Sequence, residues 1–445
     1  MSEQGAPTST VSNVADLPEE VRLARAIDGF VAEFGPKTTA WLDSCIRCGL
    51  CAEACHFHKV DPDPKYVPIN KIVPFEKAWK RHVGPVGLVR RMLGLAPRVT
   101  FEELREWEEL IYDSCTMCGR CTLVCPMGID IAELVHEARH GLFEAGLVPS
   151  RLKELDEKAH RLGSPFGTAE EMRAQVERVV REYGIDIPLD RDRADVLVTV
   201  TPTELEEKHE VLAAMARIFN HLGWDWTLRS DAFEAHNFGY LSGDMETQGK
   251  LTTRLIDTAR EIGAKMLVIP ECGHAWQAAR WETWRWYDEP LDLEIRHVVE
   301  VLGMAVEEGR LRFEPLGKSA TFHDPCQQIR RGGLDRWPRV IMEALGLEVR
   351  EMTPSHETAY CCGGGGGVVA ILRARELRDK VFEMKAAQFE ETGADLFLTS
   401  CDTCQLTFRR GAADTGWDRQ VDTLLQIMAR QLVSDQPPLE RQAAG

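Results

Sequence analysis

Residues 45–55 read CIRCGLCAEAC, and residues 115–125 read CTMCGRCTLVC. Both stretches have the spacing C-x2-C-x2-C-x3-C, which is typical of segments that wrap three thiolates around one corner of a cubane [4Fe–4S] cluster. In proteins with two such clusters, the fourth cysteine of each stretch binds the other cluster. The spacing therefore predicts two cubanes, one held by Cys45, Cys48, Cys51 and Cys125 and the other by Cys115, Cys118, Cys121 and Cys55.

Structural zinc is the alternative for these thiols, but zinc usually takes its four ligands from separated C-x2-C pairs. Two complete quartets favour the iron–sulfur interpretation. Cys125 is followed by Pro126, as the ferredoxin pattern expects, whereas Cys55 is followed by His56. Because the thiolate set is already complete, we interpret His56 and His58 as loop residues rather than ligands. A histidine beside a cluster could still tune its potential by hydrogen bonding to sulfur.

The composition limits the possible classes of protein. The 445 residues include 53 Lys or Arg and 71 Asp or Glu, a formal net charge of −18. Such a chain is not expected to bind nucleic acid, because phosphate contact needs a basic face. We find no apolar run of about 18 residues and no secretory signal, so the 14 cysteines are expected to be reduced thiols in the cytoplasm.

The N-terminal third is predicted to be helical. Apolar residues at helical spacing predict helices over 17–34, 101–113 and 130–147. We therefore assign a helical ferredoxin domain with two clusters to residues 20–160, and a charged connector to residues 161–193.

From residue 194 the pattern changes to α/β. Apolar runs at 196–200, 266–269, 321–322 and 396–399 predict strands, and helical stretches separate them. Strands that alternate with helices indicate parallel α/β units. The expected fold class is thus a helical domain followed by α/β modules.

The α/β half contains an internal repeat. SATFHDPC at 319–326 resembles VLVTVTPT at 196–203, and GADLFLTSCDTC at 393–404 resembles GAKMLVIPECGH at 263–274. The pairs keep their order and nearly the same offset. Two copies of one module are therefore predicted, at 194–310 and 315–435.

Five further cysteines lie in the second copy, at strand ends or in Gly-rich turns: Cys326, Cys361, Cys362, Cys401 and Cys404. Loops beyond the carboxyl ends of parallel strands are where α/β sheets bind ligands. Adjacent cysteines suit different irons of one cluster better than a single ion, and the run Gly363–Gly367 allows close approach of the backbone. The alternative is a redox dithiol made by Cys401 and Cys404 alone.

The pattern C-x34-CCG-x37-C-x2-C, headed by His323-Asp324-Pro325-Cys326, resembles the cysteine-rich CCG domain of heterodisulfide reductases. With the two cubane motifs, residues 20–430 resemble the D subunit of heterodisulfide reductase and the K subunit of the sulfite-reductase-associated membrane complex. Iron–sulfur subunits of glycolate and lactate oxidases share this layout. The resemblance implies that the five cysteines hold a noncubane [4Fe–4S] cluster, at which a disulfide substrate is cleaved in one-electron steps.

The resemblance also implies partners and a location. A cytochrome b-like integral membrane subunit would supply the quinone link, and further redox subunits could join it. The chain would then lie in the cytoplasm, peripherally at the inner face of the membrane. The expected activity is that of a heterodisulfide reductase-like oxidoreductase subunit. The alternative is a non-catalytic electron-transfer subunit of a hydrogenase, sulfite reductase or 2-hydroxy-acid oxidase. The five-cysteine site favours catalysis, because a cubane that only transfers electrons needs four cysteine ligands.

The first copy departs from the family pattern. Its aligned ligand positions hold no thiolate, so no cluster is expected there: Thr203, Asn237, Phe238, Glu271 and His274. Cys272, one position away, is either a small buried residue or part of the cleft lining, with His274. In the second copy, His323 could donate protons to a nascent thiolate, or could be a structural residue of its turn.

One segment between the quartets is unusually basic. Residues 56–100 contain nine Lys or Arg and three acidic residues, and residues 74–95 mix these charges with apolar side chains. A basic amphipathic stretch indicates a membrane surface or a partner. The alternative is a solvated loop with a few core anchors, since Gly84-Pro85 interrupts any single helix. We take residues 59–98 as the docking candidate.

Overall fold

The computed structural model describes residues 11–435. In this part of the chain, helices alone precede the first strand, apart from short 3-10 turns. They are α1 (Glu19–Ala32), α2 (Pro36–Ser44), α3 (Leu50–Ala54), α4 (His56–Val60), α5 (Val73–His82), α6 (Gly84–Met92), α7 (Phe101–Asp113), α8 (Arg120–Leu123), α9 (Ile131–Glu144), α10 (Ser150–Leu162) and α11 (Ala169–Tyr183).

Helices α1, α7 and α9 confirm the three helices predicted from apolar spacing. Thr100 and Asp130 cap α7 and α9, each accepting a hydrogen bond from the backbone N–H three residues later. Helices α1 and α9 cross at Gly29 and Gly141, where a Cβ on Gly29 would lie 2.8 Å from the Gly141 Cα. Only glycine permits so close a crossing.

The α/β half begins at residue 196. Its first unit contains β1 (Val196–Val198), α12 (Pro202–Glu206), α13 (His209–His221), β2 (Trp226–Thr227), α14 (Phe238–Ser242), α15 (Met245–Glu261), β3 (Met266–Ile269), α16 (Gly273–Trp281), β4 (Glu294–His297) and α17 (Val298–Glu307). Its second unit contains β5 (Ser319–Phe322), α18 (Arg336–Ala344), β6 (Glu348–Val349), α19 (Arg375–Thr392), β7 (Leu396–Thr399), α20 (Asp402–Thr415), β8 (Val421–Thr423) and α21 (Leu424–Gln431).

The two units have the same topology. Each is a four-stranded, fully parallel sheet, with the orders β2-β1-β3-β4 and β6-β5-β7-β8. Helix α13 packs on α21, and α18 packs on α17. These contacts are equivalent by a pseudo-two-fold axis, because α13 corresponds to α18 and α17 to α21. The predicted fold class, a helical part followed by repeated parallel α/β units, is confirmed.

The segment predicted as a connector is part of this packing. Helix α11 lies against α13 and buries Met172, Val176 and Val179 in the core shared by both α/β units. The helical part has its own core, which takes in Val368 and Val381 from the second unit. No helix within residues 11–435 is both long and apolar enough to cross a bilayer.

Candidate metal centres

The two cysteine quartets fold into the same loop. Arg47 and Met117, each just before the second cysteine of its quartet, have positive φ angles of 51° and 53°. Gly49 and Gly119, just after that cysteine, have φ angles of 85° and 73° and start the short helices α3 and α8. Left-handed backbone at a non-glycine residue is costly and tends to occur at functional sites. The matching conformations indicate two loops built for the same task.

Each loop shares a cavity with the last cysteine of the other quartet. One cavity is lined by Cys45, Cys48, Cys51 and Cys125, together with apolar residues such as Ile69 and Ile129. The other is lined by Cys115, Cys118, Cys121 and Cys55, together with His56 and Lys71. The four thiols in each cavity are the same four that the ferredoxin spacing assigns to one cluster. Their assignment as ligands stays a prediction.

The two histidines after Cys55 lie on helix α4, not in a loop as the sequence suggested. The His56 ring is fully buried beside Cys118, and burial lowers the pKa of His56 despite that neighbouring sulfur. His58, two residues further along α4, is partly exposed. A neutral, buried His56 therefore lies next to the second quartet.

The five C-terminal cysteines meet between the sheet ends and the Gly-rich turn. Each is at most 7% exposed. Four of them line one cavity together with Gln327, Gly365 and His274: Cys326, Cys362, Cys401 and Cys404. Cys361 lies at its side, with its Sγ 3.8 Å from that of Cys326.

Cys361 connects this site to the second quartet. Its Sγ lies 3.3 Å from the Thr116 Oγ1, within the loop that carries Cys115 and Cys118. Cys118 itself packs in the same small core as Cys326 and Cys361. The C-terminal site and the second quartet are therefore in direct contact.

The glycine run makes this contact possible. A Cβ on Gly366 would lie 3.0 Å from the Cys115 carbonyl oxygen, and one on Gly365 would lie 2.7 Å from the His274 ring. Gly366 also has a positive φ of 63°. Residues with side chains would push the C-terminal turn away from the second quartet. The sequence suggested close backbone approach to an inorganic core, whereas these glycines approach another part of the chain.

A buried arginine joins the three parts of the chain at this junction. Arg139 is fully buried, and its guanidinium donates to the carbonyls of Gly366 (2.7 Å), Leu241 (2.7 Å), Cys115 (3.0 Å) and Ile111 (3.1 Å). No carboxylate among residues 11–435 forms an ion pair with it. An uncompensated buried cation is unfavourable unless an anionic group lies nearby. Sequence inspection missed Arg139, because nothing local distinguishes it from other helical arginines.

Lys71 is a second buried cation at the same quartet. It is 2% exposed, its Nζ lies 3.9 Å from the Cys55 Sγ, and it donates to the Ser114 carbonyl. It belongs to the basic segment that the sequence identified as a docking candidate. Other lysines of that segment are also engaged, because Lys77 pairs with Glu103 and Lys80 with Glu76. The basic residues are therefore not one continuous free surface.

The C-terminal site has its own buried cation, which sequence inspection also missed. Lys385 on α19 is fully buried, and its Nζ donates to the Gln388 Oε1 at 2.8 Å. Burial lowers the pKa of Lys385 to about 8, while the neighbouring Asp324 and the thiols of Cys361 and Cys362 favour its charged form.

His323 lies inside the C-terminal site. One of its ring nitrogens and the sulfurs of Cys362 and Cys404 all lie within 4.8 Å of one another. The ring packs edge-on against Phe408, and neither nitrogen has a hydrogen-bond partner in the described structure. Burial holds the pKa of His323 well below its ordinary value. The ring is thus neutral and lies close to both thiols without a hydrogen bond to either.

The residues of the first unit that the sequence repeat matched to the five cysteines form hydrogen bonds and cap a helix. Thr203 and the buried Lys208 both bind the Asp402 carboxylate, next to Cys401, and the Asp402 N–H donates to the Glu271 carbonyl at 2.6 Å. Asn237 caps α14, which starts at Phe238. The neutral His274 accepts the Gly366 N–H at 3.1 Å.

The repeat alignment is wrong by one residue at Glu271 and also at His274, since Ala275 then corresponds to Cys404. Cys272 caps α16 with φ −135° and ψ 111°, and Cys401 precedes α20 with φ −139° and ψ 119°. Cys272, not Glu271, therefore corresponds to Cys401, because three residues rather than two follow the preceding strand. Cys272 is fully buried, and its sulfur accepts the Ala275 N–H at 3.5 Å.

Comparison with known proteins supports the sequence interpretation. Residues 41–129 match the family described as the 4Fe-4S dicluster domain, and residues 320–409 match the one described as the cysteine-rich domain. Both families point to [4Fe–4S] clusters.

Similar proteins span most of the chain. The Hdr-like menaquinol oxidoreductase iron-sulfur subunit 2 of Archaeoglobus fulgidus is 26% identical over 415 residues, covering 81% of this chain and 74% of that protein. The D subunit of the dihydromethanophenazine:CoB--CoM heterodisulfide reductase of Methanosarcina barkeri is 25% identical over 400 residues, which cover 88% of this chain and 94% of that protein. EtfAB:quinone oxidoreductase of Syntrophomonas wolfei is 26% identical over 404 residues, which cover 84% of this chain and 56% of that protein. The resemblance to heterodisulfide reductase-type iron–sulfur subunits is confirmed, and it supports a redox role.

Proposed function

We propose that this chain is an oxidoreductase subunit that relays single electrons between two cubane [4Fe–4S] clusters and a noncubane [4Fe–4S] centre acting on a disulfide or its thiols. The contact between Cys361 and the loop of the second quartet carries this proposal. A relay needs its last carrier close to the reacting site, and here the two sites share a small core. The order along the path is the first quartet, the second quartet and the C-terminal site.

The residues present fit these clusters. Thirteen of the 14 cysteines fall into the three groups. The pKa values of these thiols divide into two groups. Those of Cys326 and Cys404 are raised well above the ordinary value, because their S–H groups donate to neighbouring sulfurs and because both are buried. Those of Cys362 and Cys401 are lowered, because hydrogen bonds from neighbouring thiols favour their thiolate forms despite burial. Bound iron would offset those charges, and the buried cations Arg139, Lys71 and Lys385 suit an anionic cluster. When bound, the clusters supply one-electron transfer, with potentials set by burial and hydrogen bonding.

The chain's own residues would govern the sulfur chemistry. Cleaving a disulfide to two thiols consumes two electrons and two protons. A neutral His323 can offer an N–H to a sulfur at this site, and Lys385 supplies a nearby positive charge. The five-cysteine set would form the catalytic centre, and the matched relatives named for heterodisulfide and menaquinol support a disulfide substrate and a quinone link.

We further propose that the physiological partner is a cytochrome b-like integral membrane subunit, with other redox subunits beside it. Relatives named as quinone or menaquinol oxidoreductase components support this assignment. The chain would then lie on the cytoplasmic face of the membrane.

One observation favours a second candidate, a non-catalytic electron-transfer subunit. The five cysteines are nearly inaccessible in this conformation, whereas a substrate must reach the centre. The first candidate therefore requires an opening between the α/β units, and the second does not.

Spectroscopy on the reduced holoprotein separates these candidates. Small disulfides such as hydroxyethyl disulfide would be added during an EPR-monitored redox titration. A catalytic centre is expected to give a new paramagnetic species on addition of substrate. If no new species forms across a panel of disulfides while all cluster signals stay intact, the result would support the non-catalytic electron-transfer subunit.

The crosswise pairing of the quartets has its own test. Cys125→Ser is expected to remove about four iron atoms and to leave the same spectrum as Cys48→Ser, because both sulfurs line one cavity. Cys55→Ser is expected to match Cys118→Ser instead. If each quartet held its own cluster, Cys125→Ser would match Cys118→Ser, and the pairing would be wrong.

A further inference from the structure

Helix α6 and the turn that follows it expose an unusual number of large apolar side chains. We call residues 84–95 the α6 tip. Met92 is 79% exposed and Leu95 is 71% exposed, and four more large apolar residues of the tip are at least half exposed: Val86, Leu88, Val89 and Leu93. A second group of exposed apolar residues lies around the first quartet, and its members are Ile46, Leu50, Leu123, Val124 and Met127.

The apolar side chains form one face. With about 100° between successive residues of a helix, Leu88, Met92 and Leu93 fall with Val86 and Val89 on an arc of roughly 160°. The opposite side is fixed by Gly87, where a Cβ would lie 3.1 Å from the Arg81 carbonyl oxygen on α5. A surface helix normally turns its apolar face to the core. In α6 that face points to solvent.

Charged residues flank this face. Seen down the helix axis, Arg90 and Arg91 lie on either side of Gly87, each between the apolar arc and the face that packs on α5. Both arginines are exposed. Within residues 11–435, no carboxylate lies within ion-pair distance of either guanidinium. Basic side chains beside an apolar face are the arrangement of helices that lie in the headgroup region of an anionic bilayer.

We propose that the α6 tip inserts into the headgroup region of an anionic phospholipid bilayer. The apolar arc would enter the boundary with the acyl chains, and Arg90, Arg91 and Arg98 would meet lipid phosphates. The charge distribution supports a lipid surface and fixes the orientation. The whole chain carries −18, so anionic lipid repels the rest of the protein and attracts this end.

In this orientation, α5 would connect the membrane-bound α6 tip to the loop of the first quartet. Arg47, in the loop of that quartet, pairs with Glu76 on α5 at 2.7 Å, and α5 packs against α6. Electrons from a membrane component would then enter at Cys45–Cys51 and leave at the far C-terminal site. This last step rests on the proposed function, whereas lipid binding does not.

Flotation of the purified full-length holoprotein with vesicles tests the proposal. The native chain is expected to bind vesicles of phosphatidylglycerol mixed with phosphatidylcholine. Met92→Ser with Leu93→Ser, or Arg90→Gln with Arg91→Gln, should weaken binding roughly tenfold or more. Leu372→Ser, at a position 84% exposed, and Arg161→Gln with Arg181→Gln are matched controls that should bind like the native chain.

The readout is independent of redox activity, since iron content and cluster spectra are measured on the same samples. The proposal is overturned if the native chain does not bind the anionic vesicles, or if the α6 variants bind as the controls do. Binding to native membranes but not to these vesicles would also overturn it, and would assign the α6 tip to a membrane protein. A negative disulfide experiment with positive flotation would contradict only the proposed reaction.

Discussion

Cys361→Ser is expected to remove the C-terminal centre and leave both cubanes in place. Its sulfur lies 3.8 Å from that of Cys326, and it is the cysteine of this set that faces the second quartet. A serine hydroxyl is a much weaker ligand than a thiolate for iron in such a cluster. The iron content should fall from about twelve to about eight atoms per chain.

Cys272→Ser is the matched control for this change. Cys272 is equally buried and occupies the helix-capping position of the first α/β unit that corresponds to Cys401. It is not among the thirteen cysteines assigned to iron, and serine is a good helix cap, so the full iron content should be retained. Iron analysis with EPR checks both variants. Unchanged iron in Cys361→Ser, or equal loss in Cys272→Ser, would contradict the ligand assignment.

The second large effect is expected at the buried cations of the second quartet. Lys71→Met removes a positive charge 3.9 Å from the Cys55 sulfur. At an effective dielectric constant of about 20, such a charge stabilises an added electron by a few kcal/mol. The midpoint potential of the second cubane should fall by on the order of 100 mV, whereas that of the first should hardly change.

Arg139→Met should lower the same potential and also destabilise the fold. Four backbone carbonyls from three parts of the chain would lose their donor, at a cost of about 3 kcal/mol or more. Arg217→Met, on α13 and outside all three cavities, is the control for loss of a buried arginine. EPR-monitored redox titration and thermal unfolding measure the two effects. A potential that shifts equally in Arg217→Met would rule out a local electrostatic role.

Much of the architecture follows from local patterns in the sequence. Strands β3 and β7 were predicted at their observed bounds, because short apolar runs between turns leave little choice of structure. The two units repeat each other because their sequences do. One insertion before Cys272 was invisible in the alignment, since only the equivalent helix starts show which residue corresponds to Cys401.

The candidate site was predictable in its thiols and not in its surroundings. Cysteine spacing reflects cluster geometry directly, so the three groups could be recognised. Arg139 and Lys385 act through contacts with residues far away in sequence, and the chain gives no local signal of their burial. The basic segment likewise divides into the buried Lys71, the paired lysines of α5 and the exposed α6 tip.

The most direct test of the relay is metal analysis of the purified chain together with an EPR-monitored redox titration. We expect about twelve iron atoms, no stoichiometric zinc and three separately titrating centres. We also expect magnetic coupling between the C-terminal centre and one cubane, since Cys361 touches the second quartet. Zinc in place of iron, or about eight iron atoms with two signals, would contradict a three-centre relay in this chain.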